Sequence, residues 1–168
     1  MKLFDETISG TISPRGAEIS ACGKYRYKLW RLWDFSKPYC LFIMHNPSTA
    51  DADQDDPTIR RCIAFAKSWG YGGIYVGNLI PYRATNPKDL IIAGWDACYG
   101  NWIENLDHIK VMADICSMHI LANGNQILPD ADFPIKWLDY PWHYLKLNKS
   151  NDPAHPLYLK SNLKPIKF

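Results

Sequence analysis

Short apolar runs that break off at polar tips recur along this chain, and they alternate with segments of helical period. The sharpest is Tyr39 to Met44, which stops at His45-Asn46-Pro47-Ser48-Thr49-Ala50-Asp51. A run without polar alternation is the pattern of a strand buried on both faces of a parallel sheet. Gly73 to Gly77, ending at Asn78, repeats it, as do Met118 to Ala122, ending at Asn123-Gly124, and Trp142 to Leu147. Ahead of them, Ala17 to Cys22 and Tyr25 to Trp33 read as paired strands around a turn at Gly23-Lys24. In the second, Tyr25, Tyr27 and Leu29 alternate with Arg26 and Lys28, the period of a half-buried strand.

Helical signals fill the gaps. Asp56-Pro57 is a cap followed by a first-turn proline. The helix it opens turns Ile59, Cys62, Ile63 and Ala66 inward and Arg60, Arg61 and Lys67 outward, and stops at Trp69-Gly70. Leu79 to Thr85 reads as an exposed loop, and Asn86-Pro87 opens a short helix through Leu90-Ile91-Ile92. A longer helix from about Asp96 to Ala113 is expected to bury Trp102, Ile103, Leu106 and Ile109, and Phe133 to Leu138 reads as a further helix. The tail 151–160 is proline-rich, with His155 at its centre.

Strands alternating with helices predict an α/β fold, a three-layer α/β/α sandwich around a mainly parallel four-stranded sheet with an N-terminal β-hairpin. One domain is expected over 1–168, with 1–16 as an N-terminal extension and 17–168 as the α/β domain. At 168 residues with 47% hydrophobic and 21% charged residues, the chain suits one sizeable core. Its 7 Trp and 10 Tyr are numerous; they read mostly as core, with stacking surfaces in a cleft as the alternative for some. The net charge of +2 does not announce a nucleic-acid binder by itself. No apolar run suits a membrane span, and the first residues lack the apolar core of a signal peptide. Five scattered cysteines without a Cys-x-x-Cys pair point to reduced thiols in a cytoplasmic protein, and a monomer is expected.

Open α/β sheets bind ligands at the carboxyl ends of their strands, so Asn46, Asn78, Asn123 and the His155 loop should converge on one edge. His45 reads equally as part of that pocket or as packing beneath it. Arg60, Arg61, Arg83 and Lys160 flank the edge and suit phosphate contacts. The acids Asp51, Asp53, Asp55 and Asp56 raise a metal loop as an alternative. Their spacing lacks the glycine and distal glutamate of a calcium loop, and capping explains much of the acid. Neither a metal nor a cofactor is expected.

Two resemblances sharpen this. Asn46-Pro47-Ser48-Thr49-Ala50-Asp51, Asp56-Pro57-Thr58-Ile59-Arg60-Arg61-Cys62, Trp69-Gly70-Tyr71-Gly72-Gly73, Asn78-Leu79 through Tyr82-Arg83-Ala84-Thr85, and His155-Pro156-Leu157-Tyr158-Leu159 are similar to a bacterial and phage family catalogued as a domain of unknown function (number 1643). More distantly, Asn46-Pro47-Ser48, Tyr75 through Arg83 and His155-Pro156-Leu157 resemble, in order, motifs of the uracil-DNA glycosylase superfamily. That resemblance implies a glycosylase-like domain that hydrolyses the N-glycosidic bond of uracil or a modified base. In it, Asn46 would place the attacking water, Asn78 would read the base edge and His155 would stabilise the departing base. Pro47, Ser48 and His45 would complete the base pocket. Tyr82 stands where one branch has a cluster cysteine, so no iron–sulfur cluster is implied. Ser48 replaces a glycine and Leu157 a serine, and Lys146 to Ala154 departs from the uncharacterised family's own pattern. The implied partner is DNA, with RNA or a nucleotide as alternatives, and a non-catalytic binding module on the same scaffold is the alternative function.

Overall fold

A computed structural model describes residues 13–86, 88–100, 102–126, 135 and 138–168. Residues 1–12 of the expected extension, Pro87 and most of the helix expected at Phe133 to Leu138 lie outside the described residues. The strands are β1 (Arg15–Ile19), β2 (Arg26–Leu32), β3 (Tyr39–Met44), β4 (Gly73–Asn78), β5 (Met118–Leu121), β6 (Trp142–Tyr144) and β7 (Ile166–Lys167). The helices are α1 (Pro57–Ser68), α2 (Lys88–Ala93), α3 (Trp95–Tyr99) and α4 (Trp102–Ile115).

The α/β class holds, but the sheet is seven-stranded and mixed, in the order β1-β2-β4-β3-β5-β6-β7. The hairpin is no appendage: β2 pairs antiparallel with β4 and so extends the sheet by two strands. On the far side β7 adds antiparallel to β6. In the middle, β3 runs parallel to β4 and β5, and β5 parallel to β6.

Strand β3 shows why an unbroken apolar run suits this place. Cys40, Phe42 and Met44 join Ile59, Cys62, Phe65 and Ala66 of α1 in one core. Leu41 and Ile43 join Ile109, Met112 and Ala113 of α4, with Leu90 of α2, in a second. Successive strand side chains point to opposite faces, so a strand covered on both sides must be apolar throughout. Each fully buried Ile or Phe in these layers contributes about 1.5–3 kcal/mol. Helix α1 is capped as its sequence predicts: Asp56 Oδ1 accepts the Ile59 N–H at 2.8 Å. Its chain leaves through Gly70 at φ 87°.

Three local expectations are corrected. The expected 96–113 helix is two helices, α3 and α4. In α4 the buried stripe is Asn105, His108, Ile109, Met112 and Ala113, while Trp102 and Ile103 are exposed and Leu106 is half-buried. Both stripes fit a 3.6-residue period. The polar one wins because Asn105 Nδ2 donates to the Asn78 carbonyl at 2.9 Å and His108 stacks on Tyr27. The 79–85 loop begins buried, Leu79 at 3% and Ile80 at 0% exposure, because Pro81 and Tyr82 extend the pairing with Tyr25 and Arg26. Arg26 is itself buried, its guanidinium held between the Ala50 carbonyl and Asn78 Oδ1.

Candidate functional site

The loops leaving β3 and β5 turn away from each other, because β3 leads through α1 to β4 on one side and β5 leads to β6 on the other. A crevice opens at such a switch point. Here it is a cleft of about 350 Å³, at the small end of ligand sites. Residues from five places converge on it: Arg26 from β2, His45, Asn46 and Ser48 after β3, Ala84 and Thr85 after β4, Asn123 and Gly124 after β5, and His155. Asp56 and Thr58 bring in the start of α1. A second hollow at Gly100, Trp102 and Ile103 involves only the start of α4. Its polar side chains, Glu104 and Asp107, both come from one helix, whereas the first gathers polar groups from several elements and is the candidate site.

The expected convergence is thus seen for Asn46, Asn123 and His155. Asn46 is held by its surroundings: Nδ2 donates to the Ala84 carbonyl at 2.8 Å and to the Pro47 carbonyl at 3.0 Å. That fixes the amide orientation, so Oδ1, 3.2 Å from His45 Nδ1, accepts a proton carried there. Pro47 is buried and latches the same loops, its carbonyl accepting the Ala84 N–H at 2.9 Å. Ser48 lines the cleft; Pro47 does not.

The two cleft histidines are complementary. His45 carries its proton on Nδ1, which leaves Nε2 as its acceptor nitrogen. His155 accepts the Leu157 N–H on Nδ1 at a long 3.4 Å, so its neutral ring carries the proton on Nε2 and is a donor there. Burial pushes both below the ordinary histidine range. For His45 the Asn46 hydrogen bond opposes this; for His155 the Asp56 charge opposes it and His45 adds to it.

Asn78 lies one layer behind the cleft, 1% exposed and outside its lining. Its Oδ1 accepts from the Arg26 guanidinium at 3.2 Å, which turns that oxygen toward Arg26. Arg26 is the residue that sequence reasoning missed. Alternation put it on the polar face, but antiparallel pairing of β2 with β4 carries the start of β2 to the carboxyl end of β4. A cationic residue at a strand start facing the tip of a partner strand was the available signal, and it needs the pairing to be read.

None of Arg60, Arg61, Arg83 and Lys160 lines the cleft. Arg60 is exposed and bonds the Asp55 carbonyl at 2.6 Å. Arg61 donates to the Leu159 carbonyl and lies over the Phe65 ring, and Arg83 donates to the Gly23 carbonyl at 3.2 Å. Lys160 is exposed.

The acidic loop is built for structure. Asp51 Oδ1 accepts the N–H groups of Asp53 and Gln54, both at 2.9 Å, Asp55 pairs with Arg31 at 2.7 Å, and Asp56 caps α1. Among the described residues no group of three or more His, Cys, Asp or Glu is placed to hold a metal ion.

Of the two readings of the aromatics, the packing follows the core one. Among the described residues the cleft lining includes no Phe, Tyr or Trp. The aromatics pack on one another instead, as in Phe42–Trp69–Phe65 and Tyr25–Tyr82. Imidazoles are the flat rings at this site.

Residues 26–157 match a family described as "Protein of unknown function (DUF1643)". The chain belongs to that family. No curated protein and no solved structure matches it. The family's span opens at Arg26 and closes at Leu157, so every cleft residue named above falls inside it, while Lys160 falls outside.

Proposed function

We propose that this family domain recognises a nucleobase in its switch-point cleft and hydrolyses an N-glycosidic bond, acting on a uracil-like or modified base in DNA. The observation that carries the reading is the meeting of Asn46, Asn123 and His155 in one small cleft above Arg26. Hydrolysis of this bond needs donors where negative charge develops on the departing base, and preorganised donors are the largest single contribution in such reactions. His155 Nε2–H and the Arg26 guanidinium are donors of that kind. Asn46 Oδ1, which keeps a second lone pair beside its His45 contact, supplies an acceptor for an attacking water. The base would leave the duplex stack to enter, and the resemblance of the Asn-Pro-Ser and His-Pro motifs supports that assignment.

A second reading, a non-catalytic binding module, has one observation in its favour. The Asn46 amide is committed to the Ala84 and Pro47 carbonyls and to His45, which fits a latch between loops as well as a water-placing group.

The deciding experiment uses labelled oligonucleotides carrying uracil, hydroxymethyluracil, hypoxanthine or mismatched thymine, incubated with protein and EDTA and then cleaved in alkali. Hydrolysis predicts strand breaks that fall about 100-fold or more in His155→Ala, the scale of losing one charge-stabilising donor. Because Asn46 also latches loops, its Ala variant is informative only where its melting transition is intact. Retention of DNA without breaks would leave the binding module. Neither breaks nor retention would remove DNA from the account.

A further inference from the structure

Arg26 is 2% exposed, yet it forms part of the wall of an open cleft. Its guanidinium carries five N–H donors. One terminal nitrogen donates to the Ala50 carbonyl at 2.9 Å and the other to Asn78 Oδ1 at 3.2 Å. Both acceptors are neutral. Its Nε is buried without a partner, as is Nδ2 of the adjoining Asn78. Among the described residues Arg26 has no carboxylate at ion-pair distance, unlike Arg15 and Arg31, which pair with Asp55.

Charges of both signs surround it without pairing with it. Asp56 from the cap of α1 and Asp51 from the loop favour its protonated form, while Arg83 and Arg31 oppose it, and His45 and His155 share the cleft. Burial, the largest effect, pulls it down to about 10, which leaves it protonated at neutral pH. A buried cation without a counter-ion is far costlier than a buried neutral group. At the wall of a cleft, a ligand can supply the missing charge.

We propose that Arg26 is the anion-recognising residue of the cleft, its guanidinium held by Asn78 and Ala50 as the counter-charge for a negatively charged group on the ligand. Resting on the glycosidic reading above, that group is the base anion itself. The electron pair of the broken C1′–N bond leaves on the base, water supplies the hydroxyl to C1′, and the remaining proton ends on the released base. Asp56, whose Oδ1 is already held by the α1 cap, lines the same cleft. The acceptor edge of a bound base faces Arg26, and its N–H edge faces Asp56.

The test is calorimetric titration of the intact chain with three probes at neutral pH: uracil, which is neutral; a nitro-substituted uracil, which is ionised; and inorganic phosphate. The wild type should bind the nitro-uracil anion at least about tenfold more tightly than uracil, the scale of one charge-assisted hydrogen bond. Arg26→Met should abolish that preference. Should Arg26→Met not fold, Asn78→Asp serves: it places a carboxylate on the atom Arg26 already holds, neutralising the charge with little change of shape. Arg26→Lys should retain part of the preference, since charge is kept and geometry is not. Equal affinity for both bases in the wild type, or a preference that survives in Asn78→Asp, overturns the assignment. Binding of phosphate that depends on Arg26, with no binding of either base, keeps the anion role and removes the nucleobase reading. No binding of any probe by folded wild type overturns the anion role, while base excision is then judged by the oligonucleotide assay.

Discussion

Gly124 leaves the room in which His155 sits. A Cβ added at Gly124 would lie 3.3 Å from the Cβ of His155 and 3.8 Å from its backbone nitrogen. The Gly124 N–H donates to the Pro153 carbonyl at 2.8 Å, so the tip after β5 and the histidine loop are clamped backbone to backbone. Gly124 is also at φ 70°, where L side chains are strained.

From this, Gly124→Ala should destabilise the chain by about 1–2 kcal/mol through the left-handed backbone alone. It should also displace His155 and weaken whatever the cleft binds. Urea unfolding and probe titration on the same variant check both. An unchanged midpoint would show that the loop relaxes freely.

The buried histidines set a pH dependence. His45, His108 and His155 all lie below the ordinary histidine range, with burial as the first cause in each. Glu18 opposes the effect at His108, as Asn46 and Asp56 do at the other two. A histidine with a lowered folded pKa takes up protons more readily when unfolded. Stability therefore holds above the unfolded value, about 6.5, and falls as pH drops below it. Urea midpoints should decline between about pH 7.5 and about pH 5.5, and less steeply in His108→Gln. A midpoint that rises on acidification would contradict this. Asp34 and Asp51, held low by hydrogen bonds from nearby serine and backbone N–H groups, lose their contribution only at more acidic pH, below the ordinary carboxylate range.

Arg31 anchors the acidic loop. Its Nε pairs with Asp55 at 2.7 Å, and its terminal nitrogens donate to the carbonyls of Asp51 at 2.6 Å and Gly16 at 3.2 Å. Arg31→Met strands these acceptors and should cost about 3 kcal/mol, as breaking a largely buried pair does. The loop 51–56 should become open to proteolysis in the native state. Resistance of that loop in the variant would count against the anchoring role.

Thiol chemistry should separate one cysteine from four. Cys22 is exposed, and the Ser20 hydrogen bond lowers its pKa. Burial raises Cys40, Cys62, Cys98 and Cys116. A thiol reagent should therefore modify a single cysteine quickly in the folded chain and all five after denaturation. Rapid loss of several thiols without denaturant would show that the cores open.

Much of the site's position is legible in the sequence alone. An apolar strand covered on both faces has one readable pattern, and a strand that stops at Asn-Pro or Asn-Gly names its own carboxyl tip. That located Asn46, Asn123 and the His155 loop on one edge, and the α1 cap at Asp56 was read from two adjacent residues. Cap and strand-tip signals are local, so the sequence carries them whole.

What needed tertiary structure was every feature set by which strand neighbours which. Period-2 alternation made Arg26 a surface residue. The antiparallel pairing of β2 with β4 made it the buried cation of the cleft, because pairing brings together residues far apart in the chain. The same holds for α4, where two stripes of equal period competed and Asn105 was buried by its bond to the Asn78 carbonyl. It holds for β7, two residues whose strand identity exists only against β6. Sequence by itself determined the α/β class and the tips of the strands. Only the fold decided which polar groups those tips would meet, since the energy of burying a charge depends on partners that no local pattern contains.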